Sequence, residues 1–308
     1  MHLSRARGLI NPLNHTGESK WPWMGHIPDF PEHMPDGSPW PRISIVTPSM
    51  DQADFLERTI RSVLLQGYPN LEYFIIDGAS HDRSIEIIER YQPYLAFWVS
   101  EPDQGQSQYI NKGFSRATGI IYHWLNSDDS LLPGALQRVA HMHKAQPNAA
   151  AWVGVCNRID SSGKLLSKVE PRNLTQAQIA NWSRAGFFYQ PACFFSAQAW
   201  TEVGQLDENL EVAMDLDLWM RLAAWGKFIK TDQLLAEAII HPRAKTRNMR
   251  SVMHAETIYV QIRYGYQDVS VEYIKTLQDR FHPGKIITRF WKIMITGFLR
   301  FISPNPKE

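Results

Sequence analysis

The stretch Ile120-Ile-Tyr-His-Trp-Leu-Asn-Ser-Asp-Asp129 joins an apolar run to a polar end. Residues 120–125 have the length and the aromatic and β-branched content of a buried strand. The acids Asp128 and Asp129 follow this strand directly, and such a pair offers the oxygen ligands that Mg²⁺ or Mn²⁺ prefers. The same acids could equally cap the helix that Pro133 opens.

Upstream of this stretch, apolar runs alternate with segments of helical period. We predict strands over 43–47, 71–76 and 95–99, the first ended by Pro48, and helices over 55–64, 85–91 and 104–116. Alternation at this spacing implies right-handed βαβ units, and therefore an α/β fold with a mostly parallel sheet. Ligands of such sheets bind beyond the carboxyl ends of the strands, which is where the polar residues of this chain collect.

Two further acidic positions allow two readings each. Asp77, at the end of the second strand, could accept hydrogen bonds from a ribose or a base, or it could belong to an ordinary Asp-Gly turn. Asp215 and Asp217 open a helix predicted over 215–225. One of them could be a general base, or Asp215 could be the helix N-cap.

The second half of the chain and its ends are less regular. We predict strands over 149–155, 187–195, 228–231 and 234–240, and a helix over 251–264. Residues 1–41 are rich in Pro, Trp and His and predict an irregular N-terminal arm. Residues 285–302 read as a basic amphipathic helix, which either lies in a membrane interface or docks on the main domain.

Net charge, cysteine content and hydropathy limit the possible functions and cellular locations of the protein. A net charge of +1 argues against a nucleic-acid-binding protein, which would show a basic excess. The two cysteines lie in apolar stretches, as expected for buried thiols in a reducing compartment. The first 20 residues contain no apolar signal-peptide core, and no run of 18 apolar residues exists. We therefore predict a cytoplasmic protein, at the inner face of the membrane if residues 285–302 bind lipid.

Four ordered motifs together resemble glycosyltransferase family 2. They are Ile-Ser-Ile-Val-Thr-Pro-Ser (43–49), Leu-Glu-Tyr-Phe-Ile-Ile-Asp-Gly-Ala-Ser (71–80), the segment 102–113 with Asp-Gln-Gly-Gln-Ser and Ile-Asn-Lys-Gly, and the segment 124–136. The resemblance covers about residues 42–245 and implies the GT-A fold, a Rossmann-like, mostly parallel sheet flanked by helices. Residues 246–308 would then form a helical C-terminal extension.

The resemblance also implies roles for individual residues. Asp215 falls on the position of the catalytic base and Asp129 on that of the metal ligand, with Mn²⁺ or Mg²⁺ as the cofactor. The nucleotide-sugar site would include Thr47, Pro48, Asp77, Gln106, Asn111, Lys112, Asp128 and His241. The acceptor side would include Gln190, Pro191, Asp217 and Trp219. The chain departs from the pattern at Met214, where many relatives have Glu.

The implied activity is inverting transfer of a sugar from a nucleotide-sugar, by default a UDP-sugar, to a hydroxyl of a saccharide or lipid-linked acceptor. Cell-surface polysaccharide assembly is the expected setting. A nucleotidyltransferase would need a Gly-rich, basic loop after the first strand, and residues 48–52 contain neither Gly nor a basic residue. A non-catalytic sugar-nucleotide-binding or membrane-scaffold protein is the other alternative, and the presence of Asp77, Asp129 and Asp215 together argues against it.

Overall fold

A computed structural model describes residues 21–23, 30–102, 105–172, 174–182 and 188–281. The chain separates into two compact units, the second of which begins at Gln267. The predicted domain boundaries at 41/42 and 245/246 stay a prediction, and the predicted amphipathic helix at 285–302 lies outside the described residues. Among those described, no helix is both long and apolar enough to cross a membrane.

The larger unit is built on one nine-stranded sheet. Its strands are β1 (Ile43–Ser49), β2 (Leu71–Asp77), β3 (Phe97–Ser100), β4 (Ile121–Trp124), β5 (Asp129–Leu131), β6 (Ala151–Ile159), β7 (Leu165–Val169), β8 (Cys193–Ser196) and β9 (Phe228–Ile239). Their order is β3-β2-β1-β4-β8-β6-β9-β5, and β7 pairs with β6 off this path.

Helices cover the sheet and connect its strands. In the larger unit they are α1 (Ala53–Leu64), α2 (Ser84–Tyr91), α3 (Gln106–Phe114), α4 (Ala135–Ala145), α5 (Gln176–Ala180), α6 (Ala197–Val203), α7 (Met214–Trp225), α8 (Lys245–Asn248) and α9 (Arg250–Arg263). The smaller unit contains α10 (Gln267–Phe281).

The predicted parallel half of the sheet is confirmed. β1 pairs in parallel with β2 and β4, and β2 with β3, in a register that sets Ser49 opposite Asp77. The prediction that Pro48 ends the first strand was wrong, since β1 continues to Ser49. A proline is tolerated in β1 because β4 pairs with β1 only as far as Val46. No hydrogen bond from the backbone of residue 48 to β4 is therefore required. This register brings the polar ends of β1 and β2 together.

The second half of the sheet is mixed. β8 runs antiparallel to β4 and β6, whereas β9 runs parallel to β6. β9 is one continuous strand where two were predicted, and β8 begins only at Cys193, after a 3-10 turn at Gln190–Ala192. Strand β5 was not predicted, and it forms because Asp129 pairs with Ala238 of β9.

The core has two parts, one on each face of the sheet. Successive residues of β1 point to opposite faces, so that Ile45 belongs to the cluster under α1, α2 and α4, and Val46 to the cluster under α3, α6 and α7. Part of the N-terminal arm packs on this unit, since Trp21 Nε1 donates to the Leu131 carbonyl at 2.8 Å and Trp23 is buried.

Candidate active site

A pocket of about 770 Å³ opens beyond the carboxyl ends of β1 and β4. Its wall comes from these strand ends, from the start of α3, from the segment before β8, from the start of α7 and from the segment after β9. The predicted site residues that line it are Pro48, Gln106, Asp128, Asp129, Gln190, Pro191, Asp215 and His241.

A buried carboxylate connects the end of β1, which lines the pocket, to the ends of β2 and β3. Asp77 is fully buried and accepts hydrogen bonds from Ser80 N at 2.8 Å, from Ser80 Oγ at 2.6 Å and from Ser100 Oγ at 2.7 Å. Ser80 Oγ also accepts from the backbone amide of Asp51. The loops after β1, β2 and β3 are therefore joined through Asp77, which itself does not line the pocket.

Next to this network, Ser49 lines the pocket with a polar atom that has no partner. Ser49 is 2% exposed, and its Oγ makes no hydrogen bond in the structure. Tyr109, another lining residue, packs so closely on Gly78 that a Cβ there would lie 2.3 Å from the Tyr109 hydroxyl oxygen. A buried, unsatisfied hydroxyl is costly, so a polar group of a ligand is the natural partner for Ser49.

Asn126 connects three sides of the pocket. Its Oδ1 accepts from Gln106 Nε2 at 2.8 Å, while its Nδ2 lies 3.4 Å from both Asp129 Oδ2 and Gln190 Oε1. Gln190 is held in turn, because its Nε2 donates to the Trp124 carbonyl at 2.6 Å. The first turn of α3, the end of β4 and the segment before β8 therefore share one amide network.

The two acids after β4 have different surroundings. Asp128 Oδ2 lies 3.0 Å from His241 Nε2, and the His241 ring packs 4.7 Å from the Phe55 ring. Asp129 is 6% exposed, and its backbone carbonyl accepts from Thr59 Oγ1 at 2.7 Å. Burial, together with the neighbouring charge of Asp128, raises the pKa of Asp129 well above its usual range.

This pair suits a hard divalent cation. A cation would offset both the burial and the mutual repulsion that disfavour the Asp129 carboxylate. Within the described part of the chain, no group of three or more His, Cys, Asp or Glu side chains is arranged to hold a metal. Mg²⁺ is commonly held by only one or two carboxylates, together with the phosphate oxygens of a substrate. The acids present fit that mode.

Asp215 lies in the first turn of α7 and is not its N-cap. The N-cap residue is Ala213, and Asp215 Oδ1 accepts from Leu216 N at 2.7 Å. Burial raises the pKa of Asp215 to about 6, and the nearby Glu256 carboxylate adds to this. A carboxyl group with such a pKa is suited to proton transfer near neutral pH.

The amides that precede α7 are capped from another helix. Glu256 of α9 accepts hydrogen bonds from the backbone amides of Glu211, Val212 and Ala213, each at 2.8 Å. An acidic side chain at a helix N-terminus also interacts favourably with the helix dipole. Glu256 therefore fixes the backbone that leads into α7, while Asp215 binds the amide of Leu216 within the first turn.

Comparison with known proteins decides the family. The family model described as Glycosyl transferase family 2 matches residues 44–202, which is more than half of the chain.

The chain belongs to glycosyltransferase family 2.

Its relatives and its fold agree with this assignment. An uncharacterized glycosyltransferase of Mycobacterium tuberculosis is 28% identical over 188 residues, which are 59% of this chain and 69% of the relative. Chondroitin synthase of Pasteurella multocida is 25% identical over 65% of this chain, but the match spans only 21% of the synthase.

Two solved structures carry the comparison of folds. S. aureus TarS 1–349 in complex with UDP-GlcNAc matches with a TM-score of 0.58 at 15% identity, over 76% of this chain and 71% of that one. The mannosyltransferase PcManGT of Pyrobaculum calidifontis, with GDP-Man and Mn²⁺, matches with a TM-score of 0.53 at 16% identity, over 85% and 81% of the two chains. At this level of identity the structures show a shared fold, and the predicted GT-A fold is confirmed.

Several predicted site residues of this glycosyltransferase do not line the pocket. Thr47 Oγ1 lies 3.0 Å from the Tyr73 hydroxyl in the core, and Trp219 stacks on Trp124 with ring centroids 5.2 Å apart. Asn111 binds the backbone of Leu206 through both ends of its amide.

Besides Asp77, two more charged residues of the predicted site lie outside the lining. Lys112 Nζ donates to Glu101 at 2.6 Å. Asp217 is 1% exposed and accepts from Arg221 Nη2 and from the Tyr264 hydroxyl, each at 2.8 Å. It therefore ties α7 to the chain just after α9, on the side of the helix away from the pocket.

Sequence reasoning also missed residues that do line the pocket. They are Ser49, Met50, Tyr109, Trp182, Tyr189, Glu211, Arg243, Lys245 and Met253, among others. Ser49 was within reach of prediction, since it directly follows Thr47 and Pro48 at a strand end. Glu211, Lys245 and Met253 carry no local signal, because tertiary packing brings them to the pocket from three separate segments.

Proposed function

We propose that this glycosyltransferase transfers a sugar from a UDP-sugar to an acceptor hydroxyl, with inversion at the anomeric carbon and with a divalent cation as cofactor. The observation that carries the proposal is that one pocket contains both the acid pair Asp128–Asp129 and the carboxyl group of Asp215 with its pKa of about 6. The first site suits a diphosphate with its cation, and the second suits removal of a proton.

The donor would lie at the ends of β1 and β4. Pro48, the unpartnered Ser49 Oγ, and Gln106 line that part of the pocket, and the basic residues Arg243 and Lys245 line its other side. Arg243 packs on the Phe55 ring, next to His241 and thus near the acid pair, and its positive charge would help to offset a diphosphate. The support for a nucleotide-sugar comes from the neighbours of known structure, one of which holds UDP-GlcNAc and another GDP-Man with Mn²⁺.

The cation would be held by Asp129 and Asp128. When bound, it would neutralise charge on the leaving diphosphate. The role of the protein residues is to fix the two carboxylates: Asp129 through its strand pairing with Ala238 and its contact to Asn126, and Asp128 through His241. We propose Mn²⁺ or Mg²⁺, because the carboxylates are oxygen ligands.

The acceptor would enter beside Gln190, Pro191 and the start of α7. Trp182 and Tyr189 line this part of the pocket, and aromatic rings of this kind give a sugar ring a flat apolar face. Asp215 would take the proton from the attacking hydroxyl as the new glycosidic bond forms. We propose a saccharide or lipid-linked acceptor of cell-surface polysaccharide assembly, at the cytoplasmic face of the membrane.

A donor screen tests this function. The purified chain is heated with a panel of UDP-, GDP- and dTDP-sugars, each with Mn²⁺ and with a chelator, and the best ligand is then offered with saccharide acceptors. We expect stabilisation by a UDP-sugar that needs the cation, because a ligand that binds the folded state raises its stability. We also expect a product of inverted anomeric configuration by NMR. A retained configuration contradicts the mechanism, and stabilisation by no nucleotide-sugar contradicts the function.

A further inference from the structure

Helix α9 reaches the pocket although it lies beyond the part of the chain that the family model matches. That match ends at residue 202, whereas α9 spans Arg250–Arg263. Met253 of α9 lines the pocket, and Glu256, one helical turn further along the same face, binds the backbone just before α7.

The contact between Glu256 and this backbone is unusually complete. Glu256 Oε1 accepts from Glu211 N, and Oε2 accepts from both Val212 N and Ala213 N, each at 2.8 Å. Val212 and Ala213 are 8% and 4% exposed, so water does not readily replace the carboxylate as their acceptor. Hydrogen bonds to a charged acceptor are about twice as strong as neutral ones.

Asp215 sits only two residues beyond this anchored segment. On its other side, Asp217 is held by Arg221 and by Tyr264 at the end of α9. The first turn of α7 is thus attached to α9 before and after Asp215. A displacement of the Glu256 contact would move Asp215 relative to the acid pair across the pocket.

We propose that Glu256 is a positioning residue for Asp215: its carboxylate holds the backbone of residues 211–213 and so fixes where the base stands in the pocket. This proposal rests on the proposed role of Asp215 in sugar transfer. Glu256 also sets part of the field at Asp215. Among the described residues, the buried thiol of Cys193 also interacts electrostatically with Asp215, and Glu211 and Lys245 line the same pocket.

Two variants distinguish the contribution of the Glu256 charge from that of its side-chain length. Glu256→Gln keeps the size of the side chain but removes the charge and one acceptor oxygen. Glu256→Asp keeps the charge but is too short by one methylene to meet all three amides. The matched control is Glu86→Gln, which removes an exposed carboxylate on α2.

Both Glu256 variants should lower kcat, by about 10–100-fold, because a displaced catalytic group costs rate rather than ground-state binding. The KM for the donor should stay within about threefold of wild type. In Glu256→Gln the acid limb of the pH–rate profile should also move to lower pH, since a negative charge near Asp215 is lost. Amide exchange at residues 211–213 should quicken by about tenfold or more. Glu86→Gln should change none of these.

A kcat within about twofold of wild type in Glu256→Gln would overturn the proposal, whatever the effect on stability. If that variant fails to fold, Glu256→Asp decides by the same criterion. A wild-type chain that is inactive with every nucleotide-sugar refutes the proposed function instead. Amide exchange at residues 211–213 in wild type and Glu256→Gln then replaces kcat as the deciding measurement. Exchange within about twofold of wild type overturns the role of Glu256.

Discussion

The two sides of the pocket are held by different kinds of contact. On the side of β1 and β4, polar groups meet because parallel strands end at one edge, and Asp77 joins loops from adjacent strands. On the side of α7, the backbone before Asp215 is held by Glu256, which lies 43 to 45 residues further along the chain. Asp217 is held by Tyr264, which lies 47 residues further along.

The difference has a physical consequence. On the strand-end side, removal of a single pocket side chain should leave the fold and the positions of the other pocket residues unchanged. The reason is that backbone pairing and two buried clusters fix the sheet beneath them. The α7 side depends on a few buried, charge-assisted hydrogen bonds, so a single substitution there can alter both position and stability. On α7 itself, Asp215 and Asp217 share one turn but differ in role, since Asp215 lines the pocket and Asp217 binds Arg221 and Tyr264.

The largest expected effect is that of Asp215→Asn on turnover. Loss of a general base typically costs about 10²–10⁴ in rate, and we expect kcat to fall by that factor while nucleotide binding is retained. The folded state should at the same time become more stable at pH 7.5, by about 1–2 kcal/mol. The folded state raises the pKa of Asp215, so ionisation of this group lowers the free energy of unfolding, and this loss is complete above pH 6. At low pH the group is protonated in both the folded and the unfolded state, and the loss disappears. Steady-state kinetics and thermal unfolding check both parts.

If turnover is unchanged in Asp215→Asn, Asp215 is not the catalytic base. The α7 side of the pocket then has no catalytic role that distinguishes it from the strand-end side.

The next effect is on stability, and it has the opposite sign. Asp217→Asn leaves Arg221 without its buried carboxylate partner, and we expect the free energy of unfolding to fall by about 3 kcal/mol. For a unit of this size the midpoint of thermal unfolding should drop by about 6–10 °C. The matched control is Asp232→Asn, at an exposed position on β9, which should leave the midpoint unchanged. A midpoint equal to that of wild type would show that Asp217 does not hold α7 to α9.

The smallest of the three effects concerns the acid pair. Asp129→Ala should weaken binding of a nucleoside diphosphate in the presence of Mn²⁺ by at least about tenfold, since loss of even an outer partner of a metal site costs about 10–100-fold. Chelator should have the same effect on wild type and little further effect on the variant. Isothermal calorimetry measures both. If neither the chelator nor the substitution changes the affinity for the nucleoside diphosphate, no cation acts at this side of the pocket.

Much of the strand-end side could be predicted from the sequence. Strands β1, β2 and β4 are short runs of β-branched and aromatic residues with polar residues directly after them, and parallel pairing then dictates that those residues meet. Strand β5 could not be predicted in this way, since three residues carry no period and its pairing with β9 is set by tertiary structure.

The α7 side was less predictable for a related reason. The sequence marks Asp215 and Asp217 as acids of a first helical turn, but helix orientation decides that one lines the pocket and the other is buried against Arg221. Glu256 offers no local signal at all, because its partners at 211–213 are reached only through the packing of α9.

The central claim is that Asp215 is a catalytic base whose pKa is raised by burial. The most direct test compares the pH–rate profile of wild type with that of Asp215→Asn. With Asp215 protonated below a pKa of about 6, kcat should rise about tenfold per pH unit up to pH 6 and then level off. In Asp215→Asn this limb should be absent from the residual rate. An acid limb near pH 4 in wild type, or the same limb in both proteins, would contradict the claim.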